Sequence, residues 1–241
     1  MWLPSKIVIM TGTIKYFVLL LNVCVCSGQT FEFATVKDKD GFAYVRSSKE
    51  VRSNTLIDTL KNGFIVSHFG SDANWILVDY QKNGEERNGY IYKNRLVNSS
   101  SFLELKATRS KNELLFSHPE FKVVISRKVF DKSKHTFEFY KKNPDQLIKI
   151  DGKTIFGTDG NFPKTTYQTI KIHFDTVTIA VPETAIAGLY EPNFDSTNCY
   201  YDNINQILYL QAINGDGAGG YAVLWVFKKG VYQQKAVTRP F

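Results

Sequence analysis

A chain of 241 residues is long enough for two small domains or one large one. Its net charge of +7 comes from Lys and Arg residues that stand singly or in pairs, which argues against the dense basic stripe of a nucleic-acid-binding protein. The 18 Phe and 13 Tyr residues, with no long segment of helical periodicity, favour a mainly β fold.

The first 28 residues have the composition of an export signal. Lys6 and Lys15 are their only charges, and the apolar run over 16–26 is too short to span a membrane. Small residues follow this run. We therefore expect residues 1–28 to be a signal peptide and the protein to be exported, periplasmic or extracellular, with no transmembrane segment after cleavage. An uncleaved anchor is the alternative.

Short apolar segments recur at intervals of about ten residues between positions 42 and 97, with Gly or Asn between them. Such spacing is typical of a small antiparallel barrel. The predicted strands begin or lie at 44–48, 64–68, 74–78, 89–92 and 95–97.

The order of residues in this region resembles the bacterial SH3 domain. The matching motifs are a V-R-S start at 45–47, an L-x-x-G turn at 60–63, a tryptophan before an apolar triplet at 75–78, and a G-Y-I close at 89–91 followed by Leu96. The resemblance covers residues 34–98 and implies an SH3-type barrel over 29–98. Two features depart from the family pattern, because Tyr44 replaces the usual Asn and Lys49-Glu50 replace the usual Gly or Pro.

Five aromatic residues of this region are candidate ligand contacts. SH3-type modules bind extended peptides in aromatic-lined grooves, so the resemblance implies a similar use here. An alternative is that Trp75 and Tyr90 belong to the core. Tyr92 must share the strand face of Tyr90, two residues away. The candidates are Tyr44, Trp75, Tyr80, Tyr90 and Tyr92.

The rest of the chain divides into a linker over 99–120 and a second antiparallel β-rich domain over 121–241. Residues 102–116 mix apolar and charged side chains, which is compatible with one amphipathic helix or an irregular connector. We expect a short helix within 182–189 and a loop over 192–199. Strands are predicted at 121–130, 136–140, 147–150, 170–174, 177–181, 207–213, 221–227 and 231–237.

Cys199 is the candidate nucleophile, since bacterial SH3 domains often accompany cell-wall cysteine peptidases. Those enzymes pair the thiolate with a histidine that follows it in the chain, whereas all four histidines here precede Cys199. We therefore interpret Cys199 as an unreactive thiol and predict no catalytic residues. After cleavage of the leader it would be the single cysteine, which is ordinary for a bacterial envelope protein.

The segment 214–220 holds four glycines in seven residues between two apolar strands. Asp216 with Asn214 is a weak candidate for calcium, and Asp159 to Asn161 could add oxygen atoms, although the sequence does not bring the two segments together. The alternative is a structural turn whose glycines adopt positive φ, most readily at Gly217 and Gly219, or let another segment approach closely. We expect no cofactor and no zinc, because histidines at ligand spacing are absent from the sequence.

These observations predict an exported bacterial binding protein whose SH3-type domain recognises a cell-wall peptide or glycan, or a protein of the envelope. Two alternatives remain open at this point. One is an envelope hydrolase with its active site in the carboxy-terminal domain, and the other is an inhibitor or immunity-type protein.

Overall fold

The computed structural model describes residues 30–70, 74–174, 176–215 and 217–240. The expected signal peptide, residues 1–28, and the calcium candidate Asp216 lie outside the described residues. Within the described residues the chain is mainly β and forms four antiparallel sheets, as the composition predicts.

Residues 31–98 form a seven-stranded sheet, called here the amino-terminal sheet, in the order β3-β2-β6-β5-β4-β1-β7. Short 3₁₀ turns occupy Ser53–Thr55, Lys93–Arg95 and Ser99–Ser101. The strands are β1 (Phe31–Val36), β2 (Phe42–Arg46), β3 (Leu56–Lys61), β4 (Ile65–Phe69), β5 (Trp75–Lys82), β6 (Glu85–Tyr92) and β7 (Leu96–Asn98).

Alternation along β5 gives this sheet one core face and one outer face. Ile76, Val78 and Tyr80 are buried, whereas Leu77 between them is half exposed. The core also takes buried side chains from the neighbouring strands: Ala34, Val36, Ala43, Val45, Leu60, Val66 and Ile91.

A tight hairpin joins β5 to β6. Asn83 and Gly84 both have positive φ, 56° and 82°, as a two-residue turn that matches the twist of the strands requires. Lys82 then pairs with Glu85, and pairing continues up to Trp75 and Tyr92. The polar stretch 81–88 is therefore strand and turn.

The carboxy-terminal region contains two five-stranded sheets, β16-β15-β11-β10-β9 and β20-β19-β18-β17-β8, and a three-stranded sheet, β12-β13-β14. A single helical turn, α1 (Glu183–Ile186), lies within the predicted short helix. The strands are β8 (Leu103–Glu104), β9 (Lys106–Arg109), β10 (Glu113–Ser117), β11 (Phe121–Val129), β12 (Phe137–Tyr140), β13 (Asn143–Ile150), β14 (Lys153–Thr154), β15 (Thr165–Phe174), β16 (Val177–Ala180), β17 (Thr197–Asp202), β18 (Ile207–Asn214), β19 (Tyr221–Lys228) and β20 (Val231–Thr238).

The segment 99–120 differs from the expected linker and from the expected helix or connector over 102–116. It supplies β8, β9 and β10, each of which pairs with a strand of the carboxy-terminal region. Leu105, Leu114 and Phe116 are buried there. Strands β9, β10 and β11 pair as consecutive hairpins, whereas β8 pairs with β17, a partner distant in sequence that short local patterns do not reveal.

Strands β18 and β19 are buried on both faces. Leu210, Val223 and Trp225 face the core shared with β11 and β15, whereas Tyr209 and Leu224 face Phe33 of the amino-terminal sheet. This double burial accounts for the nearly continuous apolar runs of the two strands. Two hydrogen bonds reinforce the contact between the two regions: Ser99 Oγ donates to Gln211 Oε1 at 3.0 Å, and Gln234 Nε2 donates to the Gly63 carbonyl at 3.0 Å.

Candidate functional site

The outer face of the amino-terminal sheet brings three of the five predicted aromatic residues into one groove. Trp75 is paired with Tyr92 across β5 and β6, and their rings meet edge to face at 4.9 Å. Tyr44 on β2 lines the same groove and is 45% exposed. The groove has a volume of about 370 Å³, within the range of ligand sites.

Tyr90 lies on the same face beside the groove rather than in its lining. It pairs with Leu77 on one side and Arg46 on the other, and Lys49 Nζ lies 5.5 Å from its ring centroid. Leu77 is 50% exposed. The apolar outer face therefore continues from the groove along β5 and β6.

Tyr80 lies in the core of the sheet and not in the groove. Its side chain is buried, and its hydroxyl donates to Asp58 Oδ2 at 3.0 Å. Burial and the Asp58 hydrogen bond raise the pKa of Tyr80 to about 12. The inclusion of Tyr80 among the ligand contacts is therefore corrected, because odd and even positions of β5 project to opposite faces.

Arg46 holds the loop that borders the groove. Arg46 is 9% exposed. Its guanidinium donates hydrogen bonds to the Arg52 carbonyl at 2.7 Å and to Thr55 Oγ1 at 3.0 Å. The same group lies 5.6 Å from the Tyr44 ring centroid. Arg46 thus joins β2 to the loop over 47–55, in which Val51 lines the groove.

The groove also contains residues that the sequence does not single out. Phe42 packs edge to face on Tyr44 at 5.1 Å, and its position two residues away on the same strand is the signal that could have identified it. Arg95 lines the groove and is paired with Asp38, with Asp40 at 3.8 Å, so its charge is balanced. The lining is mainly aromatic, with balanced charges at its edge.

Cys199 has the environment of a structural thiol. It lies in the middle of β17, opposite Leu210, rather than in the expected loop, and it is completely buried. Burial raises the pKa of its thiol well above the ordinary value. A protonated, inaccessible thiol cannot act as a nucleophile, which agrees with its interpretation as unreactive.

The two glycine-containing segments that the sequence leaves unconnected pack directly against each other. The Gly157 amide donates to the Gly219 carbonyl at 3.0 Å. A Cβ on Gly219 would lie 2.5 Å from the carbonyl carbon of Thr158. Gly217 has a positive φ of 48°, whereas Gly219 does not, so the close approach rather than the backbone angle requires glycine at 219.

Within the described ranges, no group of three His, Cys, Asp or Glu side chains is placed to hold a metal ion. In the same part of the chain, no helix has the length and apolar character needed to cross a membrane. Comparisons of the chain with protein-family models, with curated proteins and with solved structures found no match.

Proposed function

We propose that residues 30–98 form an SH3-type barrel and that the protein is an exported bacterial binding protein. The connection of the strands supports this proposal: β4, β5 and β6 form a meander, a 3₁₀ turn follows, and β7 returns to pair with β1. The charge pattern and apolar run of residues 1–28 support export.

The groove formed by Tyr44, Trp75 and Tyr92 carries the functional proposal. It binds an extended peptide presented in the cell envelope, either by the wall or by an envelope protein. The aromatic rings of the groove offer contact area to a peptide, and these side chains lose little conformational freedom when the peptide binds. A peptide with a polyproline-like or extended backbone fits such a surface. The balanced charges around Arg95 leave apolar contacts as the main source of affinity.

The test compares two equally exposed tyrosines. Tyr44 and Tyr140 are 45% and 43% exposed, but only Tyr44 lines the groove. Tyr44→Ala should weaken retention on purified cell wall or on envelope proteins by about tenfold, since a buried aromatic anchor contributes roughly 1–2 kcal/mol or more. Tyr140→Ala should bind as the wild type does.

Separate incubation with purified wall and with detergent-solubilised envelope protein identifies which source presents the peptide. Equal retention of wild type and Tyr44→Ala on both fractions would contradict the proposal. Melting temperatures of both variants establish that any loss of binding is not a loss of folding.

A further inference from the structure

A second pocket lies where the two glycine-containing segments meet, far along the chain from the aromatic groove. It is called here the loop pocket, has a volume of about 450 Å³, and belongs to the carboxy-terminal region. Its polar lining includes Arg127, Thr158, Asp159, Asn161, Lys164 and Glu191.

Close backbone packing fixes the shape of the loop pocket. A Cβ on Gly215 would lie 3.0 Å from Gly157 Cα, and one on Gly157 would lie 2.4 Å from the Tyr190 carbonyl oxygen. Three segments that are distant in sequence thus meet through their main chains. Such contact leaves little room for the walls of the pocket to collapse.

Left-handed backbone conformations are concentrated around the pocket. Glu191 has a φ of 50°, and Gly157, Gly160 and Gly215 have values of 111°, 73° and 80°. For a glutamate this conformation is strained and persists only where the surroundings impose it. The Glu191 carboxylate accepts hydrogen bonds from the Lys164 amide, the Thr165 amide at 3.3 Å and Thr165 Oγ1 at 2.9 Å, which hold it in place.

A buried hydrogen-bond network connects the segments that form the pocket. Asn214 is 1% exposed, accepts a hydrogen bond from the Asn193 amide at 2.8 Å and donates to the Tyr167 hydroxyl at 2.9 Å. Tyr221 donates to the Tyr190 carbonyl at 3.0 Å. Satisfied buried networks of this kind rigidify the segments that they connect.

Some polar side chains of the lining are held by hydrogen bonds within the protein, and others are not. The Arg127 guanidinium donates to the Lys111 and Pro192 carbonyls, and the Glu191 carboxylate is held as described above. Among the described residues, no ion pair engages the side chains of Asp159 or Lys164. Within the part of the chain that the structure describes, the Asn161 amide group makes one long hydrogen bond, of 3.4 Å, to the Asp159 carbonyl. A carboxylate, an ammonium group and an amide are therefore available to a ligand.

The composition of the lining restricts the class of ligand. Within the described lining, two cationic and two anionic side chains balance each other, which does not favour a phosphate or another polyanion. Phe162 and Pro192 are the larger apolar side chains of the described lining, which is too little apolar surface for an acyl chain. Neutral ligands with many hydroxyl groups match a mixture of donors and acceptors.

We propose that the loop pocket binds a neutral sugar unit of a glycan. The Asp159 carboxylate accepts hydrogen bonds from its hydroxyl groups, the Asn161 amide group both accepts and donates them, and the Lys164 ammonium group donates a further one. This site is independent of the aromatic groove and makes the protein a binder with two distinct surfaces.

Calorimetric titration of the mature protein with chitotetraose and, separately, with cellotetraose tests the proposal. We expect the wild type to bind at least one of them with a millimolar or lower dissociation constant. Asp159→Ala should weaken binding by about tenfold or more, because a hydrogen bond to a charged group is lost. Asn161→Ala should weaken it less.

Asp145→Ala is the matched control. Asp145 is also an exposed aspartate, but it lies near the beginning of β13 and outside the pocket. It should bind as the wild type does. Tyr44→Ala should also retain sugar binding, which separates this site from the groove. Absence of binding of both sugars to the wild type, or equal affinity of Asp159→Ala and Asp145→Ala, would overturn the proposal.

Discussion

Phe33 is the side chain on which the packing of the amino-terminal sheet against the carboxy-terminal region can be tested. It is 1% exposed and belongs to a cluster that includes Phe31, Ile65, Tyr209 and Leu224. Its ring meets that of Phe31 edge to face at 5.1 Å. Truncation to alanine would therefore leave a cavity between two sheets whose positions are fixed by other contacts.

The expected cost of Phe33→Ala is about 3–5 kcal/mol, because both the transfer energy of the ring and the cavity contribute. For a chain of this length each kcal/mol lowers the melting temperature by about 2–4 °C, so we expect a decrease of roughly 6–20 °C. Phe139→Ala is the control, since Phe139 is 39% exposed on β12, and its cost should stay within about 1 kcal/mol.

Urea unfolding followed by circular dichroism, with thermal melts in parallel, gives both quantities. If Phe33→Ala were destabilised no more than Phe139→Ala, the two regions would not be packed through this cluster. A wild-type melt with two separate transitions would also contradict the described contact, because a shared core should couple the regions.

The backbone contact of Gly219 and the carboxylate of Asp58 give two further predictions. Gly219→Ala should destabilise the protein more than Gly217→Ala, because a Cβ at 219 would clash with the Thr158 main chain. A Cβ at 217 meets no atom within 4 Å and costs about 1 kcal/mol of backbone strain. The opposite order of stabilities in urea unfolding would contradict the close approach of Gly219 to Thr158. Burial alone would raise the pKa of Asp58, but hydrogen bonds, first of all from Lys82, lower the pKa below its ordinary value. Its stabilising contribution is therefore complete above that value and is lost as the pH falls through the lower pKa of the folded state, so Asp58→Asn should flatten the decrease of melting temperature in acid. An unchanged acid limb in Asp58→Asn would refute this assignment.

Strand β5 is predictable because its buried and exposed residues alternate along its length. Strands β1 and β3 lie outside the predicted strands, and β1 and β4 are buried along most of their length, so alternation does not mark them. The alternation along β5 already separates Tyr80 from Trp75, since five positions along one strand place the two side chains on opposite faces. Parity along β2 likewise places Phe42 beside Tyr44. These parts of the groove depend on local alternation and needed no tertiary information.

The carboxy-terminal site could not be assembled in this way. Gly157 and Gly219 meet through main-chain atoms across about sixty positions of sequence, and no side-chain pattern records that contact. The two-residue strand β8 exists because β17 supplies its partner. Where an element depends on a distant strand rather than on its own periodicity, the sequence predicts the residue types available but not their neighbours.

The most direct test of the proposed function is to locate the bound peptide on the surface. Envelope peptides retained by the wild-type protein are titrated into ¹⁵N-labelled protein, and the backbone amide shifts are followed. We predict that the shifts with the largest changes belong to Tyr44, Trp75 and Tyr92 and their neighbours on β2, β5 and β6, with Tyr80 less affected. Changes confined to the carboxy-terminal region, or none at saturating peptide, would contradict the account.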